Sequence, residues 1–322
     1  MNKYEQIVAA INAASNIIIT SHKSPDGDSV GSSLGLLYFI EKLGKNATIC
    51  HPDPAPGFLD WLDTSAFLTM TDKAEAIAEM FSKADLIFCL DYNGTNRVGH
   101  EMQILLEGVN CKKIMIDHHL DPEDFPEILV SETSVSSTAE LIVELIEQSG
   151  NSRFLDKKIG TPLYLGILTD TGGFRFPSTG PRTHEILGKL LASGVEHHLI
   201  HEMLSDNNTE SRLRLQGYAM SEKLEVLEEH KVAIISLSKE ELAKYNYQKG
   251  DTDNLANQAL TIKGMKKISF RSKGQENPVN VMAAENFNGG GHMNASGGMS
   301  ELSVSETLDK IKRLVPKYFP AS

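Results

Sequence analysis

Apolar residues in this chain gather into short, β-branched-rich runs at residues 16–21, 85–90 and 112–116, separated by longer amphipathic stretches. That rhythm predicts strands alternating with helices, and therefore an α/β fold with a largely parallel sheet. From about residue 205 to 229 the pattern changes: Glu, Lys, Arg and Leu dominate, and Leu213, Leu224 and Leu227 stand at helical spacings. A connecting helix is predicted there. Beyond it, residues 232–237, 267–272 and 279–284 read as strands and 301–314 as a final helix. The expected organisation is an N-terminal parallel-sheet domain over residues 1–205, a linker helix over 206–230 and a smaller α/β domain over 231–322, with the active site in the cleft between domains. Residues 164–168, which lead to Asp170, form a run too short to assign to helix or strand.

Composition narrows the class without changing this layout. A chain of 322 residues fits two domains, each able to bury its own core. Hydrophobic residues at 40% and charged residues at 23% are ordinary for a globular protein. Cys50, Cys89 and Cys111 stand apart in apolar surroundings without Cys-x-x-Cys spacing, which favours free thiols and a reducing, cytoplasmic setting. The N-terminus lacks the basic and apolar regions of a signal peptide, and no apolar run is long enough to span a bilayer. A net charge of −12 argues against coating long duplex DNA, which is driven by neutralising phosphates, but leaves room for a short anionic substrate met by a local basic patch.

In open parallel sheets ligands bind beyond the carboxyl ends of the strands, and His22, Asp91 and Asp117 each directly follow a predicted strand. Pro25 and Gly27 allow a tight bend that turns Asp26 and Asp28 to one side; taken alone, the segment is equally a solvated turn with an N-capping Asp. Gly27, Gly31 and Gly35, with no Gly-Lys-Ser/Thr ending, fit close helix packing better than a phosphate cradle. Arg97 has the planar fork that suits a phosphate. Asp117-His118-His119 is the most specific signal: one imidazole to bind metal with the Asp orienting its ring, the other to face a phosphate. Near the C-terminus, Asn288 and the run Gly289-Gly290-Gly291-His292 form either an anion-binding nest or a loop, and Arg271 lies in a basic island over 261–275. His197, His198 and His201 also cluster, without carboxylates, and read as a polar helix surface. Four carboxylates brought to about 4 Å would repel pairwise by about 4 kcal/mol at an effective dielectric of about 20, a cost that two divalent cations cancel. Such ions, about 3.5–4 Å apart, clamp the attacking and leaving oxygens of a phosphate.

Taken in order, these residues resemble the DHH phosphoesterase superfamily with a C-terminal DHHA1 domain, over essentially the whole chain. The matching positions are His22, Asp26 and Asp28, then Asp91 with Arg97, then Asp117-His118-His119, then Asp170, then Gly289-Gly290-Gly291-His292 with Arg271 upstream. Size and architecture resemble the nano-RNase/pAp-phosphatase branch; RecJ-like exonucleases share the core motifs but carry additional domains. The resemblance implies two divalent ions, Mn²⁺ being usual, with His22, Asp26 and Asp91 holding one, Asp28, Asp91, His118 and Asp170 the other, and Asp91 bridging. It implies that Asp117 supports the site from behind, that His119 and Arg97 meet the scissile phosphate, and that Arg271, His292, Gly290, Gly291 and Asn288 grip the substrate. The implied substrates are short single-stranded RNA, cut to mononucleotides, and 3′-phosphoadenosine 5′-phosphate (pAp). A homodimer is allowed for, and neither long duplex DNA nor a membrane is an expected partner. A phosphodiesterase for cyclic di-AMP or linear dinucleotides is the alternative, ahead of polyphosphate hydrolysis or a non-catalytic nucleotide sensor. The chain departs from the family pattern at Asn93, where relatives often carry Ser, and at Pro122, where an Asn commonly follows the histidine pair.

Overall fold

The computed structural model describes residues 2–205, 208–248, 251–252, 255–259, 267–268, 271–272, 279–292 and 295–320. It divides into two compact units, Met1–Asn207 and Asn208–Ser322. The first is an α/β unit built on a fully parallel six-stranded sheet of order β3-β2-β1-β4-β5-β6. Its strands are β1 Ile17–Thr20, β2 Ala47–His51, β3 Leu68–Thr69, β4 Leu86–Leu90, β5 Lys112–Asp117 and β6 Ile128–Ser131. The helices that join and cover them are α1 Lys3–Ala13, α2 Gly27–Lys42, α3 Met70–Lys83, α4 His100–Gly108, α5 Thr138–Gln148, α6 Lys157–Asp170, α7 Pro181–Ala192 and α8 His197–Ser205. The central strands are buried on both faces, as crossover helices require. Strand order reverses between β1 and β4, so the crevice where ligands collect in such sheets opens beside the residues that follow those two strands.

The glycine stripe on α2 acts by close packing. A Cβ at Gly31 would lie 2.3 Å from the Pro162 carbonyl, and one at Gly35 2.3 Å from the Leu163 side chain. Helices α2 and α6 therefore cross almost backbone to backbone, which brings the start of α2 to the end of α6.

In the second unit, the described residues form α9 Glu210–Glu222, α10 Lys239–Lys244, α11 Leu255–Ala259, α12 Val279–Asn286 and α13 Val304–Tyr318. They also form a sheet of order β11-β12-β10-β9-β8-β7, from β7 Leu224–Leu227, β8 Val232–Ile235, β9 Lys267–Ile268, β10 Arg271–Ser272, β11 Gly290–His292 and β12 Ala295–Gly297. Two expectations fail here. The 206–230 segment is not one helix: α9 stops at Glu222, and Leu224 to Leu227 pair antiparallel with β8 around a turn where Lys231 takes φ 51°. Leu213 is helical as expected, but Leu224 and Leu227 are strand residues at the edge of this sheet. Residues 279–284 are helical rather than extended, because Val279, Met282 and Ala283 at positions i, i+3 and i+4 bury one face while Val281 stays exposed. Most of the basic island over 261–275 lies outside the described residues.

Cys50, Cys89 and Cys111 are free thiols, and burial pushes Cys50 and Cys89 up to about 12, consistent with inert core residues. Among the described residues, no helix is long and apolar enough to cross a membrane.

Candidate metal centre

Every acidic or imidazole group of the first unit that the motifs single out arrives at the carboxyl edge of the parallel sheet. His22 follows β1, Asp91 follows β4, Asp117 ends β5 with His118 and His119 behind it, and Asp170 is the last residue of α6. Asp26 caps α2, its Oδ1 accepting from the Asp28 and Ser29 amides at 3.1 and 3.0 Å, and Asp28 occupies the first turn. The capping reading and the ligand reading of this turn are therefore compatible, since Oδ2 of Asp26 faces His22.

Asp91 is the hub. It is buried, takes a left-handed φ of 63° and is fixed by its amide donating to the Ile116 carbonyl. Strained backbone in a non-glycine residue persists only where the surroundings hold it. Its Oδ2 lies 3.5 Å from His22 Nε2, and its Oδ1 lies 3.5 Å from His118 Nε2. The two carboxylate oxygens thus face different imidazoles. On one side, His22, Asp26 and Asp91 bring donor atoms within 4.8 Å of one another; on the other, Asp28, His118 and Asp170 do the same.

The atoms of the second group are disposed around a point rather than bonded to each other. His118 Nε2 is buried and has no hydrogen bond of good geometry, yet Asp170 Oδ2, Asp91 Oδ1 and Asp28 Oδ2 stand 3.3, 3.5 and 3.9 Å from it. A buried ring nitrogen ringed by misaligned carboxylates fits a cation among mixed oxygen and nitrogen donors. Protonation points the same way. Burial alone would push His22 down, but Asp26 and Asp91 hold it at about 11. Burial likewise opposes the charge on His118, and Asp170, Asp91 and Asp28 hold it at about 12. Burial and the charges of Asp91 and Asp170 drive Asp28 well above the carboxylate range. Asp170 is pushed up to about 6, chiefly by burial. Asp91 goes down despite its burial, because His118 and His22 flank it. Without cations, this cluster balances its charge by gathering protons on the residues that would hold them.

Asp117 departs from its expected role. Its Oδ1 accepts from His119 Nδ1 at 2.7 Å, so it orients the second histidine of the pair and not His118. Arg97 lies exposed on a short 3₁₀ turn, Thr95–Val98, and its carbonyl accepts from the Lys23 amide at 2.8 Å, tying the Asp91 loop to the His22 loop. Both departures from the family pattern fall in one clamp: Asn93 Nδ2 donates to the Leu120 carbonyl at 2.7 Å and to the Asp121 carbonyl at 3.3 Å, just before Pro122.

Sequence reasoning missed Thr138. The amides of Thr138 and Ala139, at the start of α5, donate to Asp28 Oδ2 and Oδ1 at 2.6 and 2.9 Å, and Thr138 Oγ1 donates to Asp91 Oδ1 at 3.0 Å. The Ser137 cap and Glu140 make the helix start legible, but nothing local tells that it meets residues 110 positions away.

In the second unit, Asn288 is exposed with φ 45°, and Gly290 to His292 form strand β11 at the edge of the described sheet, not a nest of alternating turns. Arg271 and His292 both stand opposite Ala295, one on each neighbouring strand. Their side chains lie outside what is described.

The DHH family, N-terminal domain, matches residues 16–167. Cyclic-di-AMP phosphodiesterase GdpP of Bacillus subtilis is 28% identical over 96% of this chain, which spans about half (49%) of that protein's length. Bifunctional oligoribonuclease and PAP phosphatase NrnA of Bacillus subtilis is 27% identical, with 91% of each chain covered. Among solved structures, an exopolyphosphatase-related protein from Bacteroides fragilis superposes with a TM-score of 0.94 at 36% identity, covering 99% of this chain and 96% of that one.

Proposed function

We propose that this chain, whose residues 16–167 match the DHH family's N-terminal domain, is a hydrolase with two divalent ions that cleaves short RNA oligonucleotides to mononucleotides and removes the 3′-phosphate of pAp. The observation that carries this reading is the split of the Asp91 carboxylate between two donor groups, one with His22 and Asp26 and one with Asp28, His118 and Asp170. In that assignment the first group would hold one ion and the second the other, with Asp91 within reach of both; mixed carboxylate and imidazole donors suit Mn²⁺. When bound, such a pair lowers the pKa of water from about 15.7 toward about 7 and draws charge from phosphoryl oxygens.

The protein's own residues do the remaining work. Asp117 holds the His119 ring and its Nδ1 proton in place, so that the imidazole meets the phosphoryl oxygen in one orientation. Arg97 supplies a fork of donors that neutralises the same group. Thr138 keeps Asp91 aligned through its hydroxyl and Asp28 through its amide. Arg271, His292, Asn288, Gly290 and Gly291 are proposed to bind the rest of the substrate.

Similarity to NrnA along nearly the whole of both chains supports the oligoribonuclease and pAp reading. Similarity to GdpP over 96% of this chain supports a second reading, a cyclic-dinucleotide phosphodiesterase. Product release from an RNA dinucleotide, pAp, a long RNA and cyclic di-AMP, each with Mn²⁺ and with EDTA, separates them. Metal-dependent turnover of the dinucleotide and pAp with little on the long RNA is expected. Preference for the cyclic substrate would favour the second reading, and silence on all of them would contradict both.

A further inference from the structure

Directly after Asp170 the backbone does something costly. Gly172, Gly173 and Phe174 take φ of 58°, 73° and 66° in succession. A bulky residue in this region is an outlier and is kept only where the surroundings enforce it. Here Thr171 enforces it. Its buried hydroxyl accepts from the Phe174 amide at 3.0 Å, and its carbonyl accepts from the Arg175 and Phe176 amides at 2.9 and 3.0 Å. The Phe174 ring turns inward against Tyr164, with centroids 5.9 Å apart and planes at 78°. The next two side chains turn outward. Arg175 donates Nε to the Gly172 carbonyl at 2.8 Å, which fixes the guanidinium while leaving its terminal nitrogens outside that bond. The Phe176 ring packs over Gly172, where a Cβ would lie 2.5–2.9 Å from three of its carbons, and remains 49% exposed.

The sequence of events is strain, anchoring, and then presentation of one cation and one aromatic ring. Gly172 is two positions after Asp170, at most about 7 Å along the chain. The Phe176 ring thus packs over Gly172 while staying 49% exposed, next to an exposed Arg175 and close along the chain to Asp170. A nucleotide accounts for both. Every base offers a π-face to an aromatic ring, and a guanidinium fork matches a phosphate.

We infer that residues 171–176 form a nucleotide subsite of the first unit, in which Phe176 stacks on the base next to the scissile phosphate and Arg175 binds a further phosphate. The inference rests on the phosphoesterase reading and deepens it, because it selects substrates that carry a base over pyrophosphate or polyphosphate, which carry none. Gly172 is a positioning residue: any side chain there would displace the ring.

The test compares the Mn²⁺-loaded wild type with Phe176→Ala and Phe176→Trp, on an RNA dinucleotide and on two analogues that are abasic at one or the other position. Phe176→Ala is expected to raise KM on the intact dinucleotide by roughly 5- to 150-fold, as loss of one base stack does, with kcat little changed. Phe176→Trp should restore KM. On one abasic analogue, wild type and Phe176→Ala should become equal. Arg175→Gln should raise KM for pAp more than for the dinucleotide. An unchanged KM for Phe176→Ala, or an equal loss on all three substrates, would overturn the inference while leaving the phosphoesterase reading intact. If the wild type cleaves no nucleotide, that reading fails, and calorimetry with AMP and ribose 5-phosphate decides the subsite. Tighter AMP binding that Phe176→Ala abolishes would support it, and equal binding of the two would overturn it.

Discussion

The two halves of the proposed metal centre share Asp91 but are built differently. In the half made by His22 and Asp26, the Asp26 side chain is 55% exposed and sits on a helix cap, where a carboxylate is at home without any ion. In the half made by Asp28, His118 and Asp170, Asp28 is fully buried, both its oxygens are held by amides of α5, and it is packed against Gly166, where a Cβ would lie 2.7 Å from Oδ1. The outer half sets one exposed, cap-held carboxylate beside the buried His22 and Asp91. In the inner half the carboxylates are crowded and pushed toward protonation, and Asp28 is fixed by a helix crossing and a helix start. Such an arrangement is costly for the fold and makes sense as a preformed cation site. The inner position should therefore bind first and tightest, and the outer one should exchange.

The comparison breaks most completely at the shared residue. Asp91→Asn should abolish binding at both positions and reduce metal-dependent turnover by more than the roughly 100-fold typical of supporting partners, as read in steady-state kinetics. Next comes Thr138→Val, which removes the hydroxyl from Asp91 but keeps the amide on Asp28. It should weaken Mn²⁺ by about 10- to 100-fold in calorimetry, and an unchanged affinity would show that Asp91 needs no such support. Asp26→Asn should lower outer affinity alone, leaving the tighter Mn²⁺ event of the titration intact; loss of both events would erase the distinction between halves.

Acidity sharpens it further. His22 and His118, held at about 11 and 12, carry protons near neutral pH in the ion-free protein, and an ion must displace them. Apparent affinity should therefore rise with pH, by up to about tenfold per unit for each proton released, in Mn²⁺ titrations at several pH values. A smaller effect lies outside the centre. His51 is buried, and burial lowers it to about 3. Below about pH 6.5 the unfolded chain takes up a proton that the folded chain refuses, so this residue makes stability fall as pH drops toward 3. Urea unfolding of wild type and His51→Gln should diverge in that window and run parallel above it.

How much of this could be read in advance follows from how local each cause is. His22, Asp91 and Asp117 were legible because each closes a short apolar run, and a parallel sheet gathers such ends by topology. Asp170 was legible as chemistry but not as structure: its run is helical because Gly166 and Leu163 pack into the α2 stripe, a tertiary cause. Thr138 was invisible because its partners are Asp28 and Asp91, far away in sequence. Strand β3 escaped notice because it is two residues long, and β2 because it opens on the weakly apolar Ala47 and Thr48; β6, Ile128–Ser131, is as apolar as β1 and could have been read. The partner of Asp117 was misjudged for a similar reason: adjacency places either histidine within reach, and only the loop geometry chooses His119.

The most direct test of a two-ion centre pivoting on one carboxylate is the count of Mn²⁺ bound per chain, by calorimetry with metal analysis, for wild type, Asp26→Asn and Asp91→Asn. The account predicts two ions of unequal affinity in wild type, one tight ion in Asp26→Asn and none of comparable affinity in Asp91→Asn. A single ion in wild type, or two ions surviving in Asp91→Asn, would contradict it.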